Sequence, residues 1–271
     1  MPRWCESAAR NSSSLNRRRI RSQPAPAILA AVNANAESSG RPLLCDFHIH
    51  TRFSDGLLDL PAVVDLFGQA GFDAISITDH VATRETAIGW VARGLRLSVT
   101  EHTFENYLAQ VRAEAARALD AYGMLVIPGV EITKDYLDSD LSAHLLLIDI
   151  QEYVSASWSF DRIFEAARAQ EALVIACHPH HMAARSDRDT LYLWNNRERF
   201  APHIDAWEIA NRDDAFGVVG LKKYPYVASS DFHRPRHLYS WKTLLSCGRS
   251  TGEIKRCLRE NRGVAITLFR N

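Results

Sequence analysis

No apolar run in the 271 residues approaches the roughly 18 to 20 needed to cross a bilayer, which argues against an integral membrane protein. Cysteine is sparse and scattered. Cys5, Cys45, Cys177, Cys247 and Cys257 contain no C-x-x-C pair, and an odd set of five argues against a disulfide scaffold or a zinc ribbon. Cys45 and Cys177 lie inside apolar runs and read as small buried hydrophobes. An excess of one charge is also lacking. The 32 Lys and Arg balance 32 Asp and Glu, which disfavours a general polycation for nucleic acid or a membrane surface. There is no internal repeat and no glycine-rich phosphate loop. The chain is 46% hydrophobic and 24% charged, ordinary globular proportions that rule out disorder as a whole. The one oddity is its eleven histidines.

The zero balance conceals two unlike parts. Residues 1–41 hold seven basic residues against two acidic, and the remainder holds 25 against 30. Ser12 to Ser14, Pro24, Pro26 and an Ala/Asn-rich stretch without period mark 1–41 as a disordered basic extension. Arg17 to Arg19 before Ala27 to Val32, and Ala34-Asn35-Ala36 beyond, resemble a targeting signal, but the apolar part is shorter than the roughly 7 to 15 residues of a secretory segment. An organellar transit peptide or an upstream start codon are the other readings. A cytoplasmic protein is expected unless the extension is a targeting segment.

From residue 42 on, short apolar runs alternate with amphipathic ones. Leu43 to Ile49, Ala74 to Thr78, Leu125 to Ile132, His144 to Ile150, Leu173 to Cys177, Ala206 to Ala210, Tyr226 to Ser230 and Val264 to Phe269 predict buried strands. Helical spacing covers Leu60 to Ala70, Thr103 to Tyr122, Phe160 to Gln170, Arg188 to Phe200 and Thr251 to Asn261. Alternation of this kind predicts a parallel sheet with crossover helices, and the length suits a single α/β barrel over 42–271.

The polar residues able to bind metal fall at the ends of these strands. His48 and His50 close the first, with Asp55 just beyond; His80 follows the second; Glu131 ends the third; His178 ends the fifth; Asp231 and His233 follow the seventh. His144 is irregular, standing at the start of the fourth. His48 and His50, two apart on one strand, project to the same face and can share a cation. In a parallel barrel most of these groups meet on the rim where such folds build active sites. Buried together, they would be costly unless paired or bound to cations. Six histidines with Asp55, Glu131 and Asp231 are too many donors for one ion, so two or three divalent ions are expected, with nitrogen and oxygen donors suited to zinc, manganese or iron.

The ordered motifs His48-Ile49-His50-Thr51, Ser54-Asp55-Gly56, Thr78-Asp79-His80, Gly129-Val130-Glu131-Ile132, Ala143-His144, Cys177-His178-Pro179 and Ser229 to His233 resemble those of the PHP family, the polymerase and histidinol phosphatase superfamily, over about Leu43 to Phe269. The resemblance implies a distorted (β/α)7 TIM-like barrel with a trinuclear metal site at its C-terminal rim. It implies one ion on His48, His50, Glu131 and Asp231, a second on Glu131, His144 and His178, and a third on Asp55, His80 and His233. Asp46 and Asp79 are candidates either to orient an imidazole or to bind strand-end backbone.

The expected activity is hydrolysis of a small-molecule phosphate monoester, such as a histidinol phosphate-like or nucleotide-like metabolite, by a metal-bridging hydroxide. Arg212 and His180 are the candidate catalytic residues, Arg212 as a phosphate clamp; Arg52, Lys134, Arg185 and His237 are weaker ones. Trp90, Trp158, Trp194, Trp241, Tyr136 and Tyr192 are available for stacking, with packing the commoner use. Val81 to Thr103 and His180 to Asp189 are candidate lid segments. A phosphodiesterase or 3'-5' exonuclease on nucleic acid is the alternative, disfavoured by the acidic core. A non-catalytic metal-stabilised interaction module is the third reading. The oligomeric state is not legible.

Overall fold

The computed structural model describes residues 41–179, 190–212 and 214–270. The extension up to residue 40 and the segment 180–189, with the candidates His180 and Arg185, lie outside the described residues. In chain order the strands are β1 Leu43–Asp46, β2 Ala74–Ile77, β3 His80–Ala82, β4 Leu125–Lys134, β5 Ala143–Ile148, β6 Leu173–Ala176, β7 Ala206–Asn211, β8 Asp214–Ala215, β9 Tyr226–Ser229, β10 Trp241–Leu245 and β11 Val264–Leu268. The helices are α1 Leu60–Gln69, α2 Ala87–Gly94, α3 Phe104–Tyr122, α4 Phe160–Ala169, α5 Tyr192–Asn195, α6 Arg197–Phe200, α7 Gly217–Leu221 and α8 Thr251–Glu260. None of the described helices is long and apolar enough to cross a membrane.

Local signals set the helix ends. Asp59 caps α1 by accepting the Ala62 N–H at 3.0 Å, with Pro61 in the first turn. Ser159 and Ser250 cap α4 and α8 in the same way. The chain leaves α3 through Gly123 at φ 62, a left-handed turn that glycine adopts without a Cβ penalty. The run expected as one helix over Arg188 to Phe200 is instead the two single turns α5 and α6, broken at Asn196.

The strands form one mixed sheet in the order β11-β10-β1-β2-β4-β5-β6-β7-β8, with β3 joined to β4 and β9 to β7. β1, β2 and β4 run parallel, as do β6, β7 and β9. The expectation of an all-parallel sheet is corrected at β5, which is antiparallel to both β4 and β6. A short 3-10 turn at Ser139–Leu141, with no crossover helix, separates β4 from β5, so the chain has to reverse. This reversal explains the irregular place of His144. The first turn of β5 meets the last turn of β4, Thr133 opposite His144, so the beginning of one strand and the end of the other lie on the same rim.

A second correction is β10. It was not anticipated because Lys242 and Thr243 break the apolar run, and it pairs antiparallel with both β1 and β11. β9 approaches this edge: the Thr243 hydroxyl donates to the Ala228 carbonyl at 2.8 Å and accepts its N–H at 2.9 Å. Beyond the strand ends, Ile49 and Phe232 form a parallel bridge. The sheet is therefore curled, bringing the segment after β9 beside the segment after β1.

Under this rim lies a buried ion pair. Lys242, with no solvent exposure, reaches Asp46 Oδ2 at 3.3 Å and donates to Ser240 Oγ at 2.8 Å. Asp46 Oδ1 in turn accepts the N–H groups of His48 at 3.4 Å and Ser230 at 3.1 Å. Of the two roles open to Asp46, it binds strand-end backbone. Removing the cation strands a carboxylate in the core, so Lys242→Ala is expected to lower the unfolding free energy by about 3–5 kcal/mol. Urea denaturation checks this, and a loss well under 1 kcal/mol would show that the pair is dispensable.

Candidate metal centre

Glu131, near the end of β4 and fully buried, is the hub. Its Oε1 lies 2.9 Å from His144 Nδ1, 3.4 Å from His48 Nε2 and 3.4 Å from His178 Nε2. Its Oε2 lies 2.8 Å from His80 Nδ1 and 3.3 Å from His50 Nε2. Asp231 Oδ1 faces His48 Nε2 and His50 Nε2, both at 3.4 Å. Asp55 Oδ1 faces His233 Nε2 at 3.2 Å and His80 Nε2 at 3.5 Å. All nine sequence-derived candidates thus converge at one end of the sheet.

Backbone supports hold them there. Phe232 donates its N–H to the His48 carbonyl at 3.0 Å, and His50 donates to the Phe232 carbonyl at 2.8 Å, which locks the two ligand-bearing segments together. Asp231 and His178 adopt φ 47 and φ 25, left-handed backbone that side chains rarely take and that redirects both at the strand ends. Among the described residues Asp79 makes no direct hydrogen bond to an imidazole and reaches His50 only through Ser54. It accepts from Thr51 N, Thr51 Oγ1 and Ser54 Oγ at 2.8, 2.8 and 2.6 Å, tying down the loop that carries Asp55.

Three contributors were missed in the sequence. Glu208, fully buried on β7, approaches His48 Nδ1 at 3.0 Å and accepts the His178 N–H at 2.7 Å and Asn211 Nδ2–H at 2.8 Å. A proton on His48 Nδ1 leaves Nε2 unprotonated toward Glu131 and Asp231. Its signal was a lone carboxylate inside the apolar run Ala206 to Ala210. Asp135 Oδ1 lies 2.8 Å from His144 Nε2, one position past the end of β4. Cys177, expected only to fill space, has its Sγ in the group formed by His48, Glu131 and His178.

Arg212, at φ 50 just past β7, places Nη2 2.8 Å from Asp231 Oδ2 and 3.1 Å from His233 Nδ1 while its side chain keeps 36% exposure. It stands at the mouth of the cluster. His237 Nδ1 accepts the His233 N–H at 3.2 Å. Arg52 donates to the Leu57 carbonyl at 2.9 Å and Lys134 to the Trp158 carbonyl at 2.7 Å, so both act in loop structure. Among the stacking candidates, Trp194 is buried edge-on against Trp207 and Tyr192 stacks on Phe160; Trp90 on α2 is 71% exposed.

The electrostatics are those of a site built for cations. His48 Nε2, His50 Nε2, His144 Nδ1 and both Glu131 oxygens are buried without a hydrogen-bond partner among the described residues, although they crowd one another. Orphaned lone pairs of this kind are costly unless a cation satisfies them. Three groups of donors lie within 4.8 Å of one another: His48, Glu131, Cys177 and His178; His50, Asp55, His80 and His233; and His48, His50 and Asp231. Nitrogen and carboxylate donors at such spacing fit divalent metals. Burial works against protonating the rings, but Glu131 and Asp135 outweigh it at His144 and push its pKa up to about 10. His48 and His80 are also raised, mainly by Glu131 against burial. His50 is lowered to about 3 by burial and by the charges on His233 and His80. Glu131 and Asp231 stay ionised, the surrounding histidines overcoming burial.

A curled α/β sheet with clustered His and carboxylate donors at one end defines a candidate metal-dependent hydrolytic centre. The family model described as the PHP domain matches residues 46–192. The chain therefore belongs to the PHP family and is a hydrolase of that family. Among solved structures, a two-domain protein from Bacteroides vulgatus containing a predicted PHP-like metal-dependent phosphoesterase is 22% identical, with a TM-score of 0.60 over 86% of this chain and 70% of that one. A protein from Bifidobacterium adolescentis assigned as a metal-dependent phosphoesterase is 16% identical, with a TM-score of 0.45 over 70% and 87%. One from Listeria monocytogenes assigned as a histidinol phosphatase is 14% identical, with a TM-score of 0.43 over 72% and 97%. No curated protein matches the chain.

Protons and cations compete for this cluster. Because its pKa is pushed up to about 10, the His144 ring holds a proton at neutral pH that a metal has to displace, and the raised pKa values of His48 and His80 act in the same direction. Metal affinity is expected to rise with pH from roughly 6.5, the ordinary imidazole value, toward about 10, where His144 loses its proton. Calorimetric titration in buffers of different ionisation heat should show proton release on metal uptake. A binding heat independent of buffer would contradict the charge assignment.

Proposed function

We propose that the protein is a metal-dependent phosphoesterase that hydrolyses a small-molecule phosphate monoester. The observation that carries this reading is Glu131, a fully buried carboxylate with neither oxygen hydrogen-bonded among the described residues, set in a ring of histidines in a PHP chain. In this reading the catalytic domain spans 42–271, and the curled sheet is the distorted (β/α)7 barrel of the family resemblance, closed between β9 and β1. His48, His50, Glu131 and Asp231 would hold one ion, Glu131, His144 and His178 a second, and Asp55, His80 and His233 a third. Zinc, manganese and iron suit these donors. Bound divalent cations would polarise the phosphoryl group and make water nucleophilic near neutral pH.

The chain's own residues do the rest. Arg212 is fixed by Asp231 at the mouth and keeps guanidinium N–H groups toward solvent, where phosphoryl oxygens can accept them. Glu208 and Asp135 keep His48 and His144 oriented, so the donors need little rearrangement. The acidic domain deters long polyanions, while the half-exposed Arg212 beside the donor cluster offers a small phosphorylated metabolite a cationic contact.

Screening the metal-loaded protein against phosphorylated metabolites tests the reading; no turnover with zinc, manganese or iron across monoesters and diesters would sink it. Elemental analysis should find more than one equivalent of divalent metal, and Glu131→Ala should lose most of both metal and activity. Arg212→Ala is expected to lower kcat/KM by about 10²-fold, the scale of one lost transition-state donor. Steady-state kinetics with the wild-type rate retained would remove Arg212 from the site.

A further inference from the structure

We propose that Cys177 is a metal ligand of this centre, its Sγ joining His48, Glu131 and His178 in a four-donor set that favours zinc over harder cations. The inference rests on the reading of the rim as a metal centre, adds a sulfur donor to it, and places His48 and His178 on one ion with Cys177 in place of their division between two ions.

Three observations converge. The four donor atoms lie within 4.8 Å of one another. Zinc–nitrogen and zinc–sulfur bonds of about 2.0 to 2.3 Å in a tetrahedron require donor separations of roughly 3.3 to 3.8 Å, so the set closes on an ion with side-chain shifts on the order of an ångström. Second, consecutive residues of a strand face opposite sides, and Cys177 and His178 would not ordinarily serve one site. β6 ends at Ala176, and His178 sits at φ 25, which breaks the alternation and turns both side chains to the same centre. Third, the cysteines differ. Cys177 and Cys45 are both buried, yet among the described cysteines Cys177 alone belongs to a group able to hold a metal. Its hydrogen bond to the Ile175 carbonyl, at 4.0 Å, is too long to bind it strongly, and its other described side-chain partner is Glu131, a member of the same donor group.

Coordination breaks the S–H bond and forms an S–metal bond, with the proton passing to buffer and no change of oxidation state. Thiolate is a soft donor, which selects zinc against manganese. The group of His50, Asp55, His80 and His233 has no sulfur and carries no such bias. The two ends of the cluster would then differ in the metal they prefer.

Cobalt(II) reports the ligand directly. The full chain is stripped of metal and titrated with cobalt, alongside Cys177→Ser and Cys45→Ser. Wild type and Cys45→Ser are expected to show visible d–d bands together with a near-ultraviolet sulfur-to-cobalt charge-transfer band. Cys177→Ser should keep d–d bands and lose the charge-transfer band. In chelator competition its zinc affinity should fall at least about tenfold, with manganese much less affected. d–d bands without charge transfer in the wild type would overturn the thiolate and leave the metal-centre reading standing, a result that does not depend on whether the variant folds. A charge-transfer band unchanged in Cys177→Ser would assign it to another cysteine and overturn the proposal. No d–d bands at all would overturn both readings.

Discussion

A single carboxylate without solvent, Glu131, sets the terms for the rest of the molecule. A lone buried charge is among the most expensive things a fold can contain. Here five imidazoles from four separate segments surround it, and each has its own second partner: Glu208 for His48, Ser54 for His50, Thr133 for His80, Asp135 for His144 and Thr190 for His178. Without cations, protons on some of the rings offset the carboxylates. With cations, the same lone pairs are satisfied by metal. The scaffold thus need not reorganise between these two conditions, and pre-set donors of this kind are what a hydrolytic centre requires.

The direction of each strand decides which of its ends carries chemistry. Parallel strands β2, β4 and β6 deliver ligands from their C-terminal ends, and antiparallel β5 delivers His144 from its beginning. Because side chains alternate along a strand, slipping the β4–β5 pairing by one residue would turn His144 to the opposite face. Six consecutive paired positions, from Gly129 with Ile148 to Lys134 with Ala143, hold that register.

Much of this was legible in the sequence because strand periodicity and ligand chemistry coincide: apolar runs ending in His, Asp or Glu mark both the sheet and its rim. Strand direction was not, since a reversal between β4 and β5 depends on the length of the connection rather than on any pattern within the strands. β10 was hidden because its second residue, Lys242, is polar, and its burial makes sense only once Asp46 is known to lie opposite. Glu208 and Asp135 escaped for a related reason. A carboxylate that supports an imidazole has no motif of its own, and its partner is far away in sequence or on the neighbouring strand. Cys177 was read by its apolar neighbours, whereas the backbone turn at His178 decides where its sulfur points.

The bridge between Ile49 and Phe232 joins almost the first described segment to one of the last. Asp231 and His233 leave the ribosome long after His48 and His50. The growing polypeptide therefore carries some donors long before it carries them all, exposed to whatever ions are at hand. Curling of the sheet and completion of the donor set are one event, set by the slowest, most distant contact in the fold. The donor groups that could hold a metal are therefore complete only in the finished geometry, not in the first histidines to emerge.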